Sequence, residues 1–160
     1  MAAGPTYTPI ATQTLGSSAS TVTFSSIPST YTDLVLVIDA VGSDGSYLRF
    51  NADSGANYSY TRLYGDGTSA ASGRATAQTW EETSIGSLTS RQFTIVNIMN
   101  YANAATFKTT LMRITNPSNY VAAYAHLWRS TAAINTITLG IQSGTYSSGS
   151  TFTLYGIASA

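Results

Sequence analysis

The chain has 160 residues, of which 43% are hydrophobic and only 9% charged, with a formal net charge of zero and no cysteine. One hydrophobic core suits this length, and the missing cysteines exclude disulfides and thiolate metal sites. The seven basic residues are spread singly, and the longest strongly apolar run, 34–38, is too short to cross a bilayer, so neither nucleic acid nor a membrane is expected as a partner.

Residues 1–9 contain Gly4, Pro5 and Pro9 and show no clear hydrophobic period. Proline fixes φ and restricts the residue before it, so this stretch is predicted to be an extended N-terminal arm. It also lacks the basic and apolar regions of a secretion signal. The remaining residues, 10–160, are predicted to form a single domain.

Apolar residues recur at every second position along the chain, which is the period of a half-buried strand. About ten strands are predicted by this pattern. They cover 10–15, 20–26, 33–39, 47–51, 58–63, 91–99, 107–115, 120–128, 137–141 and 151–157. Because 33–39 and 91–99 are apolar in both phases, these two are expected to be central strands covered on both faces.

Clusters of Gly, Asn, Pro and Ser separate the strands, and those at 116–119 and 143–150 predict hairpins. The long unpatterned stretch 65–79 is predicted to be a contact loop, since loops of this length usually have a function. No segment has the period of an amphipathic helix. The fold class is therefore all-β, an antiparallel sandwich of jelly-roll type.

The sequence offers little material for a catalytic centre. His126 is the only histidine, and the only close acidic pair, Glu81 and Glu82, is adjacent on one strand and so points to opposite faces. One histidine without cysteine cannot form the usual zinc site. We expect no catalytic residues, no metal and no cofactor.

Four aspartates lie in or near Gly-rich turns, but their spacing matches no calcium loop, and turn formation explains them as well. They are Asp39, Asp44, Asp53 and Asp66. Arg49 lies on the polar phase of its strand, where we expect it to pair with Asp53 or with a neighbouring residue.

Eleven tyrosines and two tryptophans suit protein interfaces, sugar-binding platforms and cores alike. Alternation in 120–128 places three ring-bearing residues on one face. The predicted contact surface comprises Tyr7, Tyr64, Asp66, Trp80, Tyr124, His126 and Trp128. A host glycan stacking on the two tryptophans is a possible partner of this surface.

Several strings give the chain a resemblance to a known group. They are FSSIPSTYTDL at 24–34, RFNADSGANY at 49–58, LYGDG at 63–67, WRSTAAINTITL at 128–139 and LYGI at 154–157. Their order resembles that of β-sandwich domains in tailed-bacteriophage virion proteins, both capsid decoration (cement) proteins and tail appendages. The resemblance carries over no catalytic residue.

This resemblance implies a non-enzymatic structural protein located in the virion. A short, near-neutral domain with an arm fits a cement protein on the capsid exterior, contacting the major capsid protein or other virion proteins, with a homotrimer favoured. The alternatives are a tail-fibre or receptor-binding appendage domain, or a carbohydrate-binding module.

Overall fold

A computed structural model describes residues 6–116 and 120–158, in which every regular element is a β-strand. The strands are β1 (Tyr7–Thr14), β2 (Thr21–Phe24), β3 (Asp33–Ala40), β4 (Ser46–Phe50), β5 (Tyr58–Gly65), β6 (Ala70–Gln78), β7 (Glu81–Glu82), β8 (Gln92–Met99), β9 (Lys108–Asn116), β10 (Tyr120–Trp128), β11 (Ile137–Ile141) and β12 (Thr151–Ile157). Each of the ten predicted strands is present, and β6 and β7 are additional. In this described part of the chain, no helix is long and apolar enough to cross a membrane.

The strands form two antiparallel sheets of unequal size. The larger has eight strands in the order β1-β12-β3-β8-β9-β10-β5-β6, and the smaller has four in the order β2-β11-β4-β7. The small sheet packs on one face of the large one, here called the inner face, and the opposite face is called the outer face. The predicted all-β, jelly-roll-like sandwich is confirmed.

The core lies between the sheets and follows the predicted alternation. On β3, Leu34, Leu36 and Ile38 point inward and are buried, and Leu48 and Leu139 face them from the small sheet. Fully burying a side chain of this size stabilises the fold by about 1.5–3 kcal/mol. This inner layer is therefore the main source of stability.

Two predictions about connections need correction. The stretch 65–79 is not a loop, because a tight turn leads from β5 directly into β6, which pairs along it. Because Ala, Ser, Gly and Thr dominate β6, its residues do not alternate in size, and the sequence pattern does not predict the strand. The segment 143–150 is not a hairpin, since β11 lies in the small sheet and β12 in the large one.

The remaining connections concern the chain start and the β9–β10 turn. Residues 7–9 of the predicted arm begin β1, where Tyr7 pairs with Ile157, and residues 1–5 lie outside the described residues. The β9–β10 hairpin forms, with Tyr120 opposite Asn116. Its turn, 117–119, also lies outside the described residues.

The two central strands differ on the outer face. Their inner residues are buried as predicted, and on the outer face Val35 of β3 is also buried, but Phe93 of β8 remains 48% exposed. The reason is the strand count, because four strands cannot cover both faces of an eight-stranded sheet. The prediction that both faces are covered is therefore wrong for β8.

Candidate functional site

Three of the predicted contact residues lie inside the sandwich. Tyr124, His126 and Trp128 share one face of β10, as alternation predicts, but each is only 2% exposed. β10 lies between β9 and β5, and its large rings fill the space beneath the small sheet. Their assignment to a contact surface is wrong, because in this structure a partner cannot reach them.

Trp128 fixes the end of β10 through both its ring and its nitrogen. The ring stacks on Tyr58, with centroids 6.2 Å apart, and Nε1 donates to Asp53 Oδ2 at 2.7 Å. Burial works to raise the pKa of Asp53, but the hydrogen bonds from Trp128 and Asn57 outweigh it and hold that pKa below its usual value. Asp53 is thus part of a structural anchor.

Two further polar side chains are enclosed between the sheets. Glu81 is fully buried and accepts a hydrogen bond from Thr110 Oγ1 at 2.9 Å, while its Oε1 has no partner. Burial raises the pKa of Glu81 to about 8, so the carboxyl is mostly protonated at neutral pH. Burial likewise lowers the pKa of His126 to about 3, and neither ring nitrogen has a partner.

The arrangement of these two groups limits their chemistry. His126 stacks on the Tyr124 ring, with centroids 5.2 Å apart and an interplanar angle of 4°. Both Glu81 and His126 are neutral near pH 7 and are sealed from solvent. In this conformation neither group can exchange a proton with a substrate from solution.

A half-buried cluster lies at the β7 edge of the sandwich. Arg62 Nη1 contacts Glu82 Oε2 at 3.1 Å and the Tyr124 hydroxyl at 3.0 Å. Its guanidinium lies 5.0 Å from the Tyr64 ring centroid and 5.5 Å from that of Tyr60. Tyr64, one of the predicted contact residues, is therefore largely occupied by an internal cation–π contact.

Trp80 directly precedes β7 and belongs to an aromatic pair. Its ring packs against Tyr47, with centroids 5.2 Å apart, and the Arg49 guanidinium lies within 5.5 Å of both. The Tyr47 ring lies so close over Gly140 that a Cβ there would collide with it. In place of the expected pairing with Asp53, Arg49 Nε donates to the Thr79 carbonyl at 3.0 Å. Trp80 remains partly exposed.

The last two predicted residues lie far apart on the surface. Tyr7 is exposed on the edge strand β1, against the ring of Tyr155. Asp66 closes the β5–β6 turn, where backbone hydrogen bonds from Ser69 and Thr68 hold its pKa well below the usual range. Asp66 therefore forms a turn, and within the described residues no group of three or more potential ligands could hold a metal.

The exposed apolar residues lie elsewhere, on the outer face of the large sheet. Leu63 is 64% exposed, Val121 60%, Leu111 50% and Phe93 48%. Their strands are contiguous in the order β8, β9, β10, β5, and pairing places Leu63 beside Ala123. We call the outer surface of β8, β9, β10, β5 and β6 the open face.

The open face contains a shallow groove with a single cation. The groove has a volume of about 760 Å³ and is lined by Leu63, Ala70, Val121 and Ala123, with the guanidinium-bearing Arg113 among them. Within the described residues Arg113 forms no ion pair. The groove is therefore apolar, open and marked by one unpaired positive charge.

The alternation of residues in the sequence predicts part of this surface. On β10, Val121 and Ala123 form the phase opposite to Tyr124 and His126, so the pattern separates two faces. It does not say which face points outward, and aromatic side chains suit protein interfaces as well as cores. Side-chain volume decides which face of β10 points inward, because the larger rings fill the interior.

Comparisons with known proteins add little to this geometry. No protein-family model and no curated protein matches the chain. Among solved structures, exo-inulinase from Aspergillus awamori aligns over 94% of this chain and 29% of its own, with 14% identity and a TM-score of 0.34. The chain thus spans less than a third of that protein.

Proposed function

We propose that this chain is a non-enzymatic structural protein of a tailed-bacteriophage virion, acting by surface contact as a capsid decoration protein. The proposal combines the resemblance of the strings at 24–34, 49–58, 63–67, 128–139 and 154–157 with the low charge of the chain. Little self-repulsion favours close packing against neighbours.

The open face is the observation that carries the proposal. Monomeric proteins rarely expose large contiguous apolar patches, and those that do usually bind another surface there. Four strands of this face present large apolar side chains to solvent. A protein that works bound to a larger assembly has a reason to keep such a face.

The mechanism is cooperative contact. A decoration protein on the capsid exterior, with a trimer as the favoured state, bridges neighbouring capsomers and buries its apolar surface against the major capsid protein. Many equivalent weak contacts then add up to strong attachment without any new chemistry. Such a shell resists the outward pressure of packaged DNA.

Counting the chain in purified particles tests the proposal. We expect copies in proportion to the capsomers, visible by cryo-microscopy as density on the capsid exterior. A few copies at the tail tip would instead favour an appendage domain. Absence of the chain from mature particles would overturn both versions.

The pair of Trp80 and Tyr47 supports a second candidate, a sugar-binding module or receptor-binding appendage. The two rings are partly exposed on the small sheet, next to Arg49. A glycan array tests it: Trp80→Ala should abolish any signal, whereas Leu63→Ala, on the open face, should retain it. Trp128 takes no part, because it is buried.

A further inference from the structure

We infer that the open face binds a different protein chain, through an apolar surface bearing a carboxylate that pairs with Arg113. The inference deepens the proposed function and rests on it, since it names the surface used and the chemistry of the partner.

The open face has about the right extent for specific binding. It comprises five neighbouring strands. At about 4.8 Å between strands and about 3.3 Å per residue, roughly seven residues of each cover about 550 Å² in projection. A standard interface buries about 800 Å² on each partner. The face and its rim therefore suffice for one specific partner.

Arg113 determines the charge that the partner must bring. Pairing places it between Ile95 on β8 and Ala123 on β10, so the guanidinium stands among apolar neighbours. Covering this position removes the charge from water, which costs free energy unless a carboxylate meets it. A neutral or basic partner would leave the buried charge without compensation.

A second copy of this chain is a poor occupant. On the same face, Asp39 is held by Arg91 at 2.6 Å, and Asp33, at the margin, accepts a hydrogen bond from the Asn100 amide at 2.6 Å. The same face also carries Arg74, which lies opposite Thr61. The three arginines Arg74, Arg91 and Arg113 outnumber these two aspartates, so two copies stacked through this face would bring like charges together and bury them. Charge complementarity therefore favours a different chain, and any trimer would use other surfaces.

The experiment uses the full chain and three synthetic peptides as probes. Each peptide is about ten residues long, the length of an extended strand, alternates Val with Thr, and carries Glu, Gln or Lys at its centre. Fluorescence polarisation measures binding to the wild type, to Arg113→Glu and to Leu63→Lys. Arg74→Glu, an equal charge change on the same outer face but outside the groove, is the matched control that separates Arg113 from the general charge of the face.

We expect the Glu peptide to bind the wild type about tenfold more tightly than the Lys peptide, and Arg113→Glu to reverse that order. Leu63→Lys should weaken all three peptides, and Arg74→Glu should leave the order unchanged. Equal binding of the three peptides, or a reversal by Arg74→Glu as well, would overturn the inference. So would sedimentation showing a dimer of the chain that Leu63→Lys dissociates.

Copy number in particles and charge preference of the groove are separate readouts. If the chain is absent from particles but the groove prefers the Glu peptide, the proposed function fails and the surface chemistry stands. If the chain decorates particles but the groove shows no preference, the inference alone fails. Circular dichroism confirms that each variant is folded, since all the changed residues are exposed.

Discussion

The inner face of the large sheet encloses polar groups without partners, whereas its outer face exposes leucine, valine and phenylalanine. His126 on the inner face leaves both nitrogens unbonded, and Leu63 and Val121 on the outer face are more than half exposed. Side-chain volume explains the difference, because large rings fill the space beneath the small sheet. The open face retains apolar residues that fold stability does not require, which is consistent with a role in contact.

The largest effect should come from the aromatic anchor. Trp128→Ala removes a buried ring and a donor to Asp53, so we expect the free energy of unfolding to fall by about 3–5 kcal/mol. Leu63→Ala, on the open face, should change it by less than about 1 kcal/mol. Urea denaturation followed by circular dichroism measures both. Equal losses in the free energy of unfolding would contradict the distinction between the inner and the outer face of the large sheet.

The buried carboxyl should make stability fall as pH rises. Between its usual pKa of 4.5 and the raised folded value of about 8, Glu81 holds a proton only in the folded state. Glu81 therefore lowers stability by at most roughly 1.4 kcal/mol per pH unit over that range. The loss shows from about pH 6.5 upward, because at lower pH the titration of His126 opposes it. Glu81→Gln should flatten this slope and exceed the wild type in stability at pH 8. An unchanged slope would place Glu81 in contact with water.

His126 should act in the opposite direction. Its pKa falls from 6.5 to about 3 on folding, so the unfolded chain alone binds a proton between these values, and stability is lost as pH falls. His126→Phe keeps the ring on Tyr124 and should remove this loss. The same denaturation series checks it below pH 4.5, where Glu81 is protonated in both states and Glu81→Gln is the control that leaves the loss of stability intact.

The smallest effect on stability should come from the open face. Leu63→Thr combined with Val121→Thr places a β-branched residue suited to strands at both positions, so the free energy of unfolding should stay within about 0.5 kcal/mol of the wild type. Binding of a hydrophobic fluorescent dye should fall, because exposed apolar area is removed. Unchanged dye binding would show that the groove is not the main apolar patch.

Much of the fold is predictable because strand periodicity depends on local sequence. Ten strands follow from alternation, but β6 does not, since its small residues carry no contrast in size. The sequence also does not predict that β11 and β12 belong to different sheets, because the same turn residues at 143–150 suit both a hairpin and a crossing between sheets. Sheet membership depends on contacts distant in sequence.

The site is less predictable than the fold. Alternation grouped Tyr124, His126 and Trp128 correctly, yet their direction depends on where the small sheet lies. The location of Leu63, Val121 and Phe93 on one surface depends on the strand order, which joins residues far apart in the chain. No local pattern contains that order.

The two edges of the large sheet have a consequence for the growth of aggregates. On β1, Pro9 lacks an amide hydrogen, and the register shifts between Pro9 and Ala11, so this edge is a poor template for another strand. The edge of β6 is regular near its start and carries Arg74 at its midpoint. Identical chains joined through β6 would form a pair whose large sheets end at two blocked β1 edges. The large sheet is therefore a poor starting point for fibres when the protein is concentrated on a surface.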